Sequence, residues 1–182
     1  MRRFWWFSLI LGAALVLAAA DTHGGPAMQL SSSAFQDGGK IPLKYVMPGA
    51  GGQNISLPLS WSGAPAGTQS FALSMVDPHP VARNWVHWLV INLPPGTAGL
   101  EEAASGKKMP PAAIELKSSF GDLGYGGPQP PRGTGDHPYV VTLYALSVPQ
   151  LELGPNTDLG RFQAVLKGKV LGTATITGYF GR

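Results

Sequence analysis

The sequence predicts a mainly β domain with a minor helical part, and three observations predict it. Among 182 residues, 25 are glycine and 17 are proline, a usage that breaks long helices and favours turns. Only 13% of residues are charged, too few to clothe solvated helical faces, which excludes a long coiled coil. Apolar residues recur with a period of two in short segments bounded by Gly and Pro, the pattern of strands. The hydrophobic share of 44%, with five tryptophans, supplies one core, and the length suits one domain.

The elements follow in order. Pro48-Gly49 and Gly51-Gly52 mark a turn, after which Leu57 to Trp61 alternates as a short strand. Ala64-Pro65-Ala66-Gly67 turns the chain again. In the next strand Phe71, Leu73, Met75 and Asp77 share one face, and Pro78 ends it by withdrawing a ladder donor. Trp85 to Asn92 is the clearest strand, with Trp85, His87, Leu89 and Ile91 on one face and Val86, Trp88 and Val90 on the other. Apolar side chains on both faces place it centrally in a sheet. Pro94-Pro95-Gly96 closes it. Tyr139 to Leu146 repeats the pattern. Thr157 or Asp158 then caps a helix carrying Leu159, Phe162, Val165 and Leu166 at helical spacing, and Gly168 stops it. Val170 to Thr177 reads as the last strand. No internal repeat is visible.

The first 20 residues read differently. Arg2 and Arg3 precede an apolar run from Phe4 to Ala20, ending in Ala18-Ala19-Ala20 before Asp21. Basic start, apolar stretch and small-residue site make a secretory signal peptide cut after Ala20; an uncleaved anchor is the alternative, since the run is at the lower limit for spanning a bilayer. The expected organisation is therefore residues 1–20 as signal peptide, 21–27 as a flexible lead-in and 28–182 as a single domain. The mature protein would be periplasmic or secreted, with no stable membrane span after cleavage. Cleavage removes two arginines, and the net charge of +3 falls to +1. No basic stripe interleaved with aromatics remains, so nucleic acid is not an expected partner. With no cysteine there is no disulfide, thiol nucleophile, Cys metal site or lipobox.

No nucleophile elbow, phosphate-binding P-loop, H-E-x-x-H or dinucleotide glycine fingerprint occurs, so neither an enzyme class nor a cofactor is indicated. What remains is an unusual placement of polar groups. His87 sits mid-strand among Trp and branched aliphatic residues, where a buried imidazole needs a partner. It reads either as a core histidine bonded to a backbone carbonyl or as part of a pocket. Asp77 ends one apolar strand before Pro78-His79-Pro80, and His137 heads another after Gly133-Thr134-Gly135. Titratable groups at strand ends beside rigid Pro and permissive Gly fit a pocket at one sheet edge; each alone also fits an ordinary turn.

Four segments carry a resemblance. They are Pro58-Leu59-Ser60-Trp61-Ser62-Gly63-Ala64-Pro65; Val76-Asp77-Pro78-His79-Pro80 with Trp85-Val86-His87-Trp88; Gly124-Tyr125-Gly126-Gly127-Pro128-Gln129-Pro130-Pro131 leading to Gly135-Asp136-His137-Pro138-Tyr139; and Gly168-Lys169-Val170-Leu171 to Gly178. In this order and spacing the chain resembles the phosphatidylethanolamine-binding protein family, in its bacterial Raf-kinase-inhibitor-like branch, from about Met28 to Arg182. The resemblance implies a large central antiparallel-rich sheet, a smaller flanking sheet and a C-terminal helix. It further implies a small cavity accepting phosphate or the phosphoryl head of a phospholipid, lined by Asp77, Trp85, His87, Pro130, Pro131, His137 and Tyr139, with Tyr179 added from the closing segment. Two positions depart from the family pattern. His79 stands where D-P-D-x-P carries its second acid, and Pro138 stands where G-x-H-R carries Arg. His79 is then either an anion contact or a solvent-facing residue.

The resemblance thus implies a non-enzymatic, exported protein that binds a small anion or phospholipid headgroup, with no catalytic residue, metal or cofactor. Asp77 is expected to accept from an imidazole and fix its tautomer. A carboxylate beside an imidazole favours the charged form, so anion binding is expected to weaken as pH rises. An inhibitor of an envelope protease or kinase-like partner is the second reading. A metal-assisted hydrolase using Asp77, His87 and His137 is the third, disfavoured because close-spaced ligand pairs are absent. Monomer and homodimer are both left open.

Overall fold

The structure, a computed structural model, describes residues 27–182; the expected signal peptide and nearly all of the lead-in lie outside the described residues. Among the described residues, eight strands and one α-helix follow in order: β1 Gln29–Ser31, β2 Leu59–Ser62, β3 Ser70–Asp77, β4 Trp85–Leu93, β5 Gly99–Leu100, β6 Ile114–Glu115, β7 His137–Leu146, α1 Leu159–Leu166 and β8 Val170–Phe180. They form two antiparallel sheets, β1-β2-β5 and β6-β4-β3-β7-β8. The large sheet, the smaller flanking sheet and the late helix agree with the expected architecture. No helix among the described residues is long and apolar enough to cross a membrane.

The large sheet is covered on both faces. On one side Phe71, Leu73 and Met75 of β3, with Tyr139, Val141 and Leu143 of β7, pack against Leu59 and Trp61 of β2 and Leu100 of β5. On the other, Ala72, Leu89, Ile91 and Leu146 pack beneath Phe162 and Leu166 of α1. Asp158 caps α1 by accepting from Arg161 N at 2.7 Å, and Gly168 follows at φ 74°, the left-handed turn that only glycine adopts freely. Of the two capping candidates, Asp158 is the cap.

The alternation expected for β4 is broken. The β3–β4 ladder steps from Met75–Trp88 directly to Val76–Val86, so His87 is an extra residue in a β-bulge. Val86 therefore packs with Leu89 and Ile91 in the helix-side core, while Trp88 and Val90 belong to the opposite core. His87 joins the Trp88 side, where its ring meets Tyr139. This corrects the face assignment: His87 does not share a face with Leu89 and Ile91. A second irregularity lies at the other end of the strand, where Asn92 adopts φ 60°.

The remaining corrections are at boundaries. β2 begins at Leu59 rather than Leu57. β7 takes in His137 and Pro138, ahead of the expected start at Tyr139. Proline fits there because β3 pairs with β7 only from Val140 onward, leaving position 138 with a neighbour on one side only.

Candidate functional site

Asp77 ends β3, Trp85 opens β4 and His137 opens β7, so three neighbouring strands bring these side chains to one edge of the large sheet. With His87 and Tyr139 they line a cavity of about 340 Å³. The remaining wall comes from Ala82, Phe120 and the run Gln129-Pro130-Pro131. Trp85 is 39% exposed and stands edge-on to Phe120, with ring centres 5.3 Å apart.

His137 is fully buried. Its Nδ1 donates to Asp77 Oδ2 at 2.6 Å, and the other carboxylate oxygen accepts from the His79 backbone N–H at 2.9 Å. The Thr134 hydroxyl donates to Pro131 O at 2.8 Å, which commits its single hydrogen. It therefore accepts from His137 Nε2, 2.9 Å away. Both ring nitrogens donate, an arrangement that suits an imidazolium beside a carboxylate. The His79 ring stacks on His137 at 3.8 Å between centres, and its Nδ1 accepts from Val81 N–H at 3.3 Å. His79 thus packs against His137 and is not a cavity wall.

His87 is held differently. Its Nδ1 lies 2.6 Å from Gly126 O, and because a carbonyl only accepts, Nδ1 carries the hydrogen. Gly126 N–H donates back to His87 O at 2.8 Å. A Cβ at residue 126 would stand 2.4 Å from the Phe120 ring, so this approach of backbone to imidazole requires glycine. Burial pushes the His87 pKa down to about 4, outweighing the Gly126 bond and the Asp77 charge, both of which favour the charged ring. The expected upward shift of an imidazole beside a carboxylate does not hold for His87: desolvation wins.

Tyr139 is fully buried, meets His87 edge-to-face at 4.9 Å, and its hydroxyl has no hydrogen-bond partner among the described residues. Burial drives its phenol pKa far up, the Asp77 charge adds to this, and Arg182 opposes it. An unpaired buried hydroxyl is a cost, so Tyr139→Phe is expected to raise the unfolding free energy of the ligand-free protein by about 1 kcal/mol. Urea midpoints check this; a loss of similar size would show that the hydroxyl is satisfied in solution.

Arg182 ties the outer wall. Its Nε donates to Pro130 O and its Nη1 to Gly49 O, both at 2.6 Å, while Gly133 N–H donates to its carbonyl at 2.9 Å. Pro138, where the family motif carries Arg, alternates with His137 and Tyr139 and so faces away from the cavity. Tyr179 pairs with Pro138, shares that face and is not in the lining. The structure thus gathers Asp77, Trp85, His87, Pro130, Pro131, His137 and Tyr139, but neither His79 nor Tyr179 among the walls.

Sequence reasoning missed Ala82, Phe120, Gln129, Thr134 and Arg182. Thr134 had a readable signal, lying three residues before His137 between two glycines; Phe120, in a loop without periodicity, had none. Among the described residues, no group of three or more His, Asp or Glu side chains is placed to hold a metal ion.

Residues 31–181 match the family described as phosphatidylethanolamine-binding protein. A UPF0098 protein of Methanothermobacter thermautotrophicus is 38% identical over 156 residues, covering 85% of this chain and 99% of that protein. The crystal structure of Escherichia coli YbcL, described as a new member of the mammalian PEBP family, superposes with a TM-score of 0.80 at 32% identity, covering 85% of this chain and 98% of that one. A Mycobacterium tuberculosis protein, LppC, provisionally named a lipoprotein, is 37% identical over 169 residues, covering 92% of this chain and 79% of that protein.

Proposed function

Because the chain belongs to the phosphatidylethanolamine-binding protein family, we propose that it is an exported, non-enzymatic binding protein for a phosphate-type anion, free or as a phospholipid headgroup. The observation that carries this reading is the cavity at the β3, β4 and β7 ends, where two imidazoles meet aromatic and proline walls. His137 is the donor. Asp77 holds Nδ1, so Nε2–H has a fixed direction, and an anion oxygen would replace the Thr134 hydroxyl as its acceptor. The positive field of Arg182, felt at Tyr139, acts in the same sense. Pro130 and Pro131 form a stiff wall that costs little entropy to hold. Export is supported by the basic, apolar and small-residue pattern of residues 1–20 and by the name of the similar LppC.

Calorimetric titration with inorganic phosphate tests this. Saturable binding is expected, weakened about tenfold or more in His137→Ala, as the loss of one charge-assisted hydrogen bond requires. Unchanged affinity in both His137→Ala and His87→Ala would sink the reading.

A further inference from the structure

We propose that the cavity selects oxyanions that carry their own proton, taking a phosphoryl group with a P–O–H, as in free phosphate or a phosphomonoester, and refusing sulfate and phosphodiesters. The inference rests on the phosphate reading above and deepens it.

The ground is the orientation of His87. Its Nδ1–H is committed to Gly126 O at 2.6 Å, so the ring's remaining polar atom, Nε2, offers a lone pair and nothing else. Nε2 has no partner among the described residues, and His87 lines the cavity. The ring cannot exchange its two nitrogens cheaply. The backbones of His87 and Gly126 are bonded to each other, and the rings of Tyr139 and Phe120 stand edge-on at 4.9 and 5.7 Å. An oxygen bearing a lone pair meets repulsion at Nε2. A P–O–H meets an acceptor.

His87 does not readily supply the missing proton itself. Three titratable groups surround it: Asp77 from β3, and His137 and Tyr139 from β7; the Arg182 charge acts on Tyr139 without a hydrogen bond to it. The Asp77 charge favours protonation of His87 and the His137 charge opposes it, but burial exceeds both and holds the pKa at about 4. At neutral pH the proton must therefore arrive with the ligand. Tetrahedral anions of similar size then separate by protonation alone. Sulfate is fully ionised, inorganic phosphate keeps a P–O–H throughout the neutral range, a monoester keeps it only below its second ionisation near pH 6, and a diester never has it.

The test is calorimetry on the full chain with sodium phosphate, sodium sulfate, methyl phosphate and dimethyl phosphate between pH 5.5 and 8. Phosphate should bind at least about tenfold tighter than sulfate or dimethyl phosphate at pH 7. Methyl phosphate should weaken about tenfold per pH unit above its second ionisation, while inorganic phosphate changes far less. In His87→Gln, whose amide can turn either N–H or C=O to the cavity, sulfate should come within about threefold of phosphate. A second arm reads the source. Capture by phosphatidic acid vesicles marks a lipid-borne monoester, and binding of soluble monoesters alone marks a free one; either supports the proposal when phosphatidylcholine vesicles are refused. Equal affinity of the wild-type protein for sulfate and phosphate, or equal capture by phosphatidylcholine vesicles, overturns the selection while leaving the anion site standing. No binding of any probe overturns the anion reading and the inference with it.

Discussion

Asp77→Ala should lower the unfolding free energy by about 3–5 kcal/mol, the usual cost of removing one partner of a buried ionic pair. The carboxylate is 3% exposed and its two oxygens hold His137 Nδ1 at 2.6 Å and the His79 backbone at 2.9 Å. Truncation leaves a fully buried imidazole without its acceptor and frees the turn that carries His79 onto it. Against a typical stability of about 5–15 kcal/mol the change is large, and for a domain of this size it corresponds to a fall in Tm of roughly 6–20 °C. Urea denaturation measures it, with the midpoint shifting at unchanged m. Asp77→Asn keeps one acceptor oxygen but turns an NH2 group toward a donor, so an intermediate loss is expected. A loss below about 1 kcal/mol in Asp77→Ala would mean that the carboxylate is not structural.

His87 should make the fold sensitive to mild acid. Its pKa is near 6.5 when unfolded and about 4 in the folded protein. The folded value is the lower one, so the unfolded chain takes up the proton first as pH falls. The stability tied to the neutral ring is fully present above about pH 6.5, declines between there and pH 4, and is lost below. The separation corresponds to about 3 kcal/mol, on a side chain that is almost wholly buried. Comparing unfolding free energies at pH 7, 5.5 and 4 in the wild type and His87→Asn isolates this contribution. The wild type should lose about 3 kcal/mol more than the variant; parallel curves would refute it.

Much of the fold was legible because its strands are long enough for alternation to show. Alternation puts Phe71, Leu73, Met75 and Asp77 on one face, and the first three do line one core while Asp77 ends that row at the cavity. The helix was legible through its ends, Asp158 and Gly168, as much as through its apolar spacing. Strands β1, β5 and β6, of three, two and two residues, are too short to carry a period. The site was legible in part for a similar reason. Residues beside Pro and Gly punctuation at strand ends, Asp77 and His137, were identifiable. The direction of His87 was not, because the bulge that turns it has no signature in local composition, and its carbonyl partner lies 39 residues away. Tyr179 lies outside the lining for a comparable reason: nearness in sequence to the last strand end does not fix which face the side chain takes, and pairing with Pro138 turns it away.

The Arg182 tether also bears on the order in which the molecule assembles. The bond between His87 and Gly126 closes a separation of 39 residues, whereas Arg182 to Gly49 closes 133. The longer closure costs about 1 kcal/mol more in chain entropy. On chain entropy alone, the bond from His87 to Gly126 is favoured to close before the one from Arg182 to Gly49. The bond from Arg182 to Pro130 closes 52 residues, close to the 60 between Asp77 and His137, so chain entropy sets only the Gly49 end of the tether apart. Loss of the Arg182 side chain would untie Pro130 from Gly49 while breaking none of the hydrogen bonds that hold Asp77, His87 and His137. The cavity thus has a floor braced by its own hydrogen bonds and a proline wall fastened separately, through Arg182.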